Sequence, residues 1–270
     1  MVFHSVSSLI TSLSYMLALF SPSTRATDSS IKTCRDENTT TPITPLLNYG
    51  VLLYRAFELM DVFGPLEILQ LLTESKQYKQ NLFLLSRTLA PVTTEPAYPP
   101  MNPLSSSFWP VILPTHTFAD DPDLDVLIVP GGAGERSPDL GPEVAYLRHA
   151  YPKLRYLITV CTGAGVAARA GVLDGRRATT SKYAWGDITP LGNGVKWVAP
   201  ARWVVDGNIW TSSGVTAGLD LVFAFINVTY PNGPELTTLI SGAIEHKLVS
   251  NSSDDPFAAR FNVPTQNYLG

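Results

Sequence analysis

The sequence predicts an α/β protein in which helices cover both faces of a mainly parallel sheet, built as one domain. Three observations carry that expectation. From Asn48 onward, short apolar runs alternate with segments of helical character. One run, LDVLIVPGG (124–132), is nearly all apolar and ends in a glycine pair, as a central parallel strand does where it meets a loop. Finally, 45% hydrophobic and only 16% charged residues supply a sizeable core, which excludes a mostly disordered chain.

The elements follow in order. GVLLY (50–54) reads as a buried strand, and GPLEILQLLTES (64–75) as a helix with Pro65 in its first turn. NLFLLSR (81–87) is a second strand. After the strand at 124–132, PEVAYLRHAY (142–151) is helical and YLITVC (156–161) is another buried strand. TGAGVAARAG (162–171) follows at once as a helix of small residues closed by Gly171. KWVAPARWVVDGNIWTSSG (196–214) predicts paired strands around an Asp206-Gly207 turn. Two helices, 216–230 and 233–249, complete a domain expected over 48–249, with a polar tail over 250–270.

The flanking composition bears on location. Leu9 to Phe20 is an apolar run too short to span a bilayer, followed by SPSTRA with small residues at a plausible cleavage point. Residues 1–26 therefore read as a signal peptide and the protein as secreted, although no Lys or Arg leads the run; a cytoplasmic location is the alternative. Sequons at Asn38, Asn227 and Asn251 agree with the secretory pathway. Residues 27–47 are polar and rich in Pro and Thr, as a linker is. A net charge of −4 offers no basic footprint for nucleic acid or an anionic membrane. Two cysteines cannot form the disulfide framework of a small secreted domain.

Cys161 is the sharpest chemical signal. It ends an apolar strand, and Thr162-Gly163-Ala164-Gly165 lets the chain turn steeply into a helix. The side chain at such a junction stands out of the sheet, and the helix N-terminus behind it favours a thiolate. The arrangement is a cysteine version of a nucleophile elbow, with an inert core cysteine as the alternative. Gly131 and Gly132 allow the backbone to approach a ligand and present an amide to it. Asp61, read as lying in the loop after the first strand, shares that sheet edge and can exchange a proton, or else merely stabilise a helix start. Glu67 reads as surface. Of His4, His116, His149 and His246, none directly follows Cys161, which disfavours a Cys–His hydrolase. Cys34 reaches Cys161 only if the linker folds over the site. No metal-ligand cluster is visible, and no cofactor is expected.

Taken together, GVLLYRAFELMDVFGPLEIL, LDVLIVPGGAGE, ITVCTGAGVAARAGVLDGRRATT and WTSSGVTAGLDL resemble the ThiJ/PfpI superfamily, of the class I glutamine-amidotransferase-like fold, and within it the isonitrile (isocyanide) hydratases. The likeness runs from about Gly50 to Val249. It implies a flavodoxin-like three-layer sandwich, usually a homodimer, with the cysteine on a strained elbow. It carries the nucleophile onto Cys161, the acid onto Asp61 and oxyanion-type donors onto the amides of Gly132 and Thr162. Gly131, Val166, Tyr183, Trp185 and Thr216 are candidates for an apolar pocket wall, with core packing as their other role. Where the hydratase pattern commonly has His then Trp after the RATT stretch, this chain has Ser181-Lys182-Tyr183. Related AraC-type regulators append a helix-turn-helix module, for which the residues after Val249 are too few.

The activity this implies is addition of water to an organic isonitrile through a cysteine thioimidate, giving an N-substituted formamide without a cofactor. Asp61, directly or through water, would supply the proton that nitrogen gains. Two rivals stand beside it: glyoxalase- or deglycase-like work on reactive aldehydes with the same thiol, and a non-catalytic redox or binding module.

Overall fold

A strand covered on both faces must be apolar on both, and Val126 to Val129 and Val51-Leu52 are fully buried along their whole length. These stretches form the centre of the sheet in the computed structural model, which describes residues 45–265. The apolar run at 9–20, His4, Cys34 and the Asn38 sequon lie outside the described residues.

The chain opens with β1 (Asn48–Leu52), α1 (Leu59–Glu74) and β2 (Asn81–Ser86). An excursion with the small hairpin β3 (Val92–Thr93) and β4 (Val111–Ile112) leads to β5 (His116–Thr117). Then come β6 (Val126–Val129), α2 (Gly141–Ala150), β7 (Tyr156–Thr159) and α3 (Gly163–Arg169). A short parallel pair, β8 (Arg177–Ala178) and β9 (Lys196–Trp197), flanks α4 (Trp185–Ile188). The hairpin β10 (Trp203–Asp206) and β11 (Ile209–Ser212) precedes α5 (Val215–Thr229), α6 (Gly233–Ala243) and α7 (Pro256–Arg260).

Seven strands form one sheet in the order β10-β11-β7-β6-β1-β2-β5, parallel except for β10 against β11. Two helix groups pack separately, α1 with α5 and α6, and α2 with α3. From β1 the chain runs outward through β2 and β5, then returns to β6 and continues the other way. The boundary between β1 and β6 is therefore the switch point, where a crevice opens beyond the carboxyl ends of the strands.

Four expectations change. The helix expected from Gly64 begins at Leu59, so Pro65 lies inside it and Asp61 sits in its first turn, not in a loop. Buried Val62, Pro65, Ile68, Leu69 and Leu72 recur at helical spacing, and that burial holds the turn before the proline in the helix. The polar linker ends early, because Leu46 is buried in the core and Asp125 accepts hydrogen bonds from the amides of Leu47 and Asn48. The segment after Val249 is packed structure, not a free tail: it carries α7, and the Arg202 amide donates to the Ser252 carbonyl. Asn227 is half-buried inside α5, with the Thr229 hydroxyl of its sequon donated to the Phe225 carbonyl, whereas Asn251 is exposed.

Candidate active site

Three loops converge at the switch point. β7 runs through Val160 into Cys161, whose φ of +57° lies in the left-handed region. A non-glycine residue there costs about 1–2 kcal/mol, and it persists only where its surroundings hold it. They do: the Cys161 amide donates to the Ser213 carbonyl at 3.0 Å, and the Thr180 hydroxyl donates to the Cys161 carbonyl at 2.9 Å. Gly163 is required next, since a Cβ there would lie 2.2 Å from the Val129 carbonyl oxygen. The result is a sharp strand-to-helix elbow that lifts the sulfur to the sheet edge, where the residue is 9% exposed.

The carboxyl of Asp61 reaches the same point from α1 and is fully buried. Its Oδ2 accepts the Gly131 amide at 2.9 Å, while Oδ1 has no hydrogen-bond partner. Gly131 is tightly enclosed, because a Cβ on it would lie 2.5 Å from the Thr162 nitrogen and 2.9 Å from Asp61 Oδ2. The Gly132 amide donates to the Thr162 hydroxyl at 2.9 Å, and Gly132 itself has a φ of +131°. These contacts lock the glycine loop after β6 to the elbow after β7. The Thr162 amide and the Ser181 hydroxyl are placed beside the sulfur, where both favour its ionised form.

The DJ-1/PfpI family model matches residues 51–228, a span that contains every one of these groups. The chain belongs to the DJ-1/PfpI family. Its relatives include the isonitrile hydratase of Pseudomonas putida, 36% identical over 180 residues, covering 64% of this chain and 68% of that enzyme. A deglycase of Pyrococcus horikoshii is 35% identical over 98 residues, 36% of this chain and 57% of that protein. Among solved structures, a ThiJ/PfpI family protein from Pseudomonas syringae superposes with a TM-score of 0.60 at 23% identity, covering 82% of this chain and 83% of the other.

Electrostatics in this DJ-1/PfpI protein depart from the expected thiolate. Burial, reinforced by the nearby carboxylate of Asp61, pushes the Cys161 thiol up to about 12, against the hydrogen bonds from Ser181 and Thr162. A helix N-terminus falls short of offsetting the desolvation of a sulfur this buried. Burial also pushes Asp61 up to about 7, against the Gly131 amide, with the Glu58 carboxylate adding to the rise. The pair therefore stores its proton at neutral pH, and Asp61 is the group poised to give or take one.

The expected pocket wall divides. Val166 is fully buried in α3, and Trp185 is buried edge-on to Trp197, so both are core. Tyr183 is 79% exposed and touches Phe261, and Thr216 is exposed at the start of α5. Apolar character could not distinguish a residue facing the crevice from one facing the core. The amides of Gly132 and Thr162, expected as oxyanion donors, already serve the Thr162 hydroxyl and the sulfur. The described histidines bond elsewhere: His116 to Thr115, His149 to Asp121 and Lys153, His246 to Asp220. A cavity of about 440 Å³ opens between Tyr54, Val92, Met101 and Glu143, and none of Cys161, Asp61 or Ser181 lines it. Sequence reasoning missed Ser181 as a contact to sulfur; position 181 stood out as a departure from the pattern, and the structure gives it a donor's role.

Proposed function

We propose that this protein hydrates organic isonitriles to N-substituted formamides with Cys161 as nucleophile and Asp61 as proton carrier. One observation carries the reading: a thiol on a left-handed elbow beside a buried carboxyl that titrates near neutrality and keeps one oxygen unpartnered. The resemblance to the Pseudomonas putida enzyme supports the same substrate class.

Asp61 takes the thiol proton as sulfur bonds to the terminal carbon of R–N≡C, and that proton passes to the same carbon. The product is a thioimidate, R–N=CH–S–Cys161. Water then adds across the C=N bond, its oxygen to carbon and a proton to nitrogen. The C–S bond breaks, the hydroxyl proton returns through Asp61 to sulfur, and R–NH–CHO leaves. A carboxyl with a pKa near the working pH serves both directions of transfer. The slender, uncharged tip of an isonitrile suits a sulfur so little exposed.

Deglycase-like work is the second reading, favoured by the likeness to the Pyrococcus horikoshii protein. The two separate in one assay of purified wild type and Cys161→Ala with an aryl isonitrile and with methylglyoxal. Formamide from wild type alone supports hydration. Lactate from wild type with no formamide overturns it.

A further inference from the structure

Lys182 follows the residue that contacts the sulfur, and its side chain is 1% exposed, as is that of Asp255. The ammonium lies 3.0 Å from Asp255 Oδ2. It also donates to the Ala201 carbonyl at 2.8 Å, the Thr179 hydroxyl at 2.9 Å, the Ser213 hydroxyl at 3.1 Å and the Thr180 carbonyl at 3.2 Å. Two of these partners, Ser213 and Thr180, are the residues that hold the amide and the carbonyl of Cys161. A third neighbour, Ser181, supplies the hydroxyl on the sulfur. The residues that hold the Cys161 amide (Ser213) and carbonyl (Thr180) therefore meet at one ammonium group.

A lone buried ammonium would lose its proton or unfold its surroundings, so it needs a fixed counter-charge. Asp255 provides it from the C-terminal segment, and is itself held by the amides of Phe257 and Ala201. We propose that Lys182 and Asp255 are a positioning pair that locks the Cys161 elbow and aims the Ser181 hydroxyl at its sulfur. Residues 250–265 thereby become part of the working site. The proposal rests on the reading of Cys161 as nucleophile.

The groups acting on the sulfur are the carboxylates of Asp61 and Glu58, the hydroxyl of Ser181, the amide of Thr162 and the charge of Lys182. Lys182 opposes the two carboxylates. The test measures iodoacetamide labelling of Cys161 in the full chain from pH 7 to 10, followed on its own peptide by mass spectrometry. Labelling needs no isonitrile, so its outcome is independent of whether formamide is the product.

Replacing both partners, Lys182→Met with Asp255→Leu, removes the charges without stranding either one. Labelling is expected to slow about tenfold at each pH, the effect of one pKa unit on the thiolate fraction. Ser181→Ala alone is expected to slow it similarly, yet to change it less than twofold in the double variant, because the hydroxyl is no longer aimed. With an isonitrile, kcat falls and KM holds. Should the Met/Leu protein melt early, Lys182→Gln with Asp255→Asn, polar and uncharged, is measured in the same way. Wild-type labelling rates in the folded variant, or a Ser181→Ala effect of equal size in both backgrounds, overturns the proposal.

Discussion

Asp61→Asn is expected to stabilise the protein at alkaline pH while abolishing turnover. The buried carboxyl titrates near 7 in the folded protein, against an ordinary value of 3.8. Between those values the folded state holds a proton that the unfolded chain has lost, so stability falls as pH rises. The full effect is about three pH units at about 1.4 kcal/mol each, or about 4 kcal/mol. It is present below pH 4 and lost once pH passes 7. Over the accessible window from pH 5 to pH 8, the group contributes a loss of about 3 kcal/mol. Asparagine has the same shape, can still accept the Gly131 amide, and never ionises. Urea unfolding of both proteins at pH 5 and pH 8 reads the difference directly, and other titrating groups cancel in the comparison. The wild-type midpoint is expected to drop relative to Asp61→Asn by on the order of 1 M urea across that window. Parallel pH dependence in the two proteins would refute the buried, proton-holding carboxyl.

Further outcomes follow from the same geometry. Gly131→Ala places a methyl 2.5 Å from the Thr162 nitrogen, so the glycine loop must shift away from the elbow. Turnover is expected to fall at least about 100-fold and the melting temperature by roughly 5 °C, read by steady-state kinetics and a thermal melt. Arg87 makes a two-pronged contact with the buried carboxylate of Glu143. Arg87→Met strands that charge at a cost of about 3 kcal/mol in denaturant unfolding, and adding Glu143→Gln should recover part of it. A chain ending at Val249 removes Asp255 from Lys182 and is expected to melt at least roughly 10 °C lower or to aggregate on expression.

The sequence reveals what the fold must bury and conceals what meets only in space. The strand runs at 124–132 and 156–161 were legible because a central parallel strand is apolar on both faces, which few other elements are. Cys161 was legible because glycine and alanine crowd the turn after its strand, where only small residues pass the Val129 carbonyl. Asp61 was found through its distance from a strand end, yet its place in a helix was hidden by Pro65, which reads as a first-turn residue when met in sequence. The raised pKa values of Asp61 and Cys161 follow from burial, which local pattern does not report. The link between Lys182 and Asp255 joins two polar stretches far apart in the chain, neither of which has a periodic signature. Val166 and Trp185 show the same limit from the other side, since an apolar residue near a site is most often facing the core.

The most direct measurement is rapid-quench mass spectrometry of the wild-type protein during turnover of an aryl isonitrile. The peptide bearing Cys161 should gain the mass of one intact isonitrile molecule before formamide reaches its steady rate, and should lose it as substrate runs out. Formamide released at the full rate with that peptide unmodified throughout, or undiminished in Cys161→Ala, would contradict a covalent thioimidate at this sulfur.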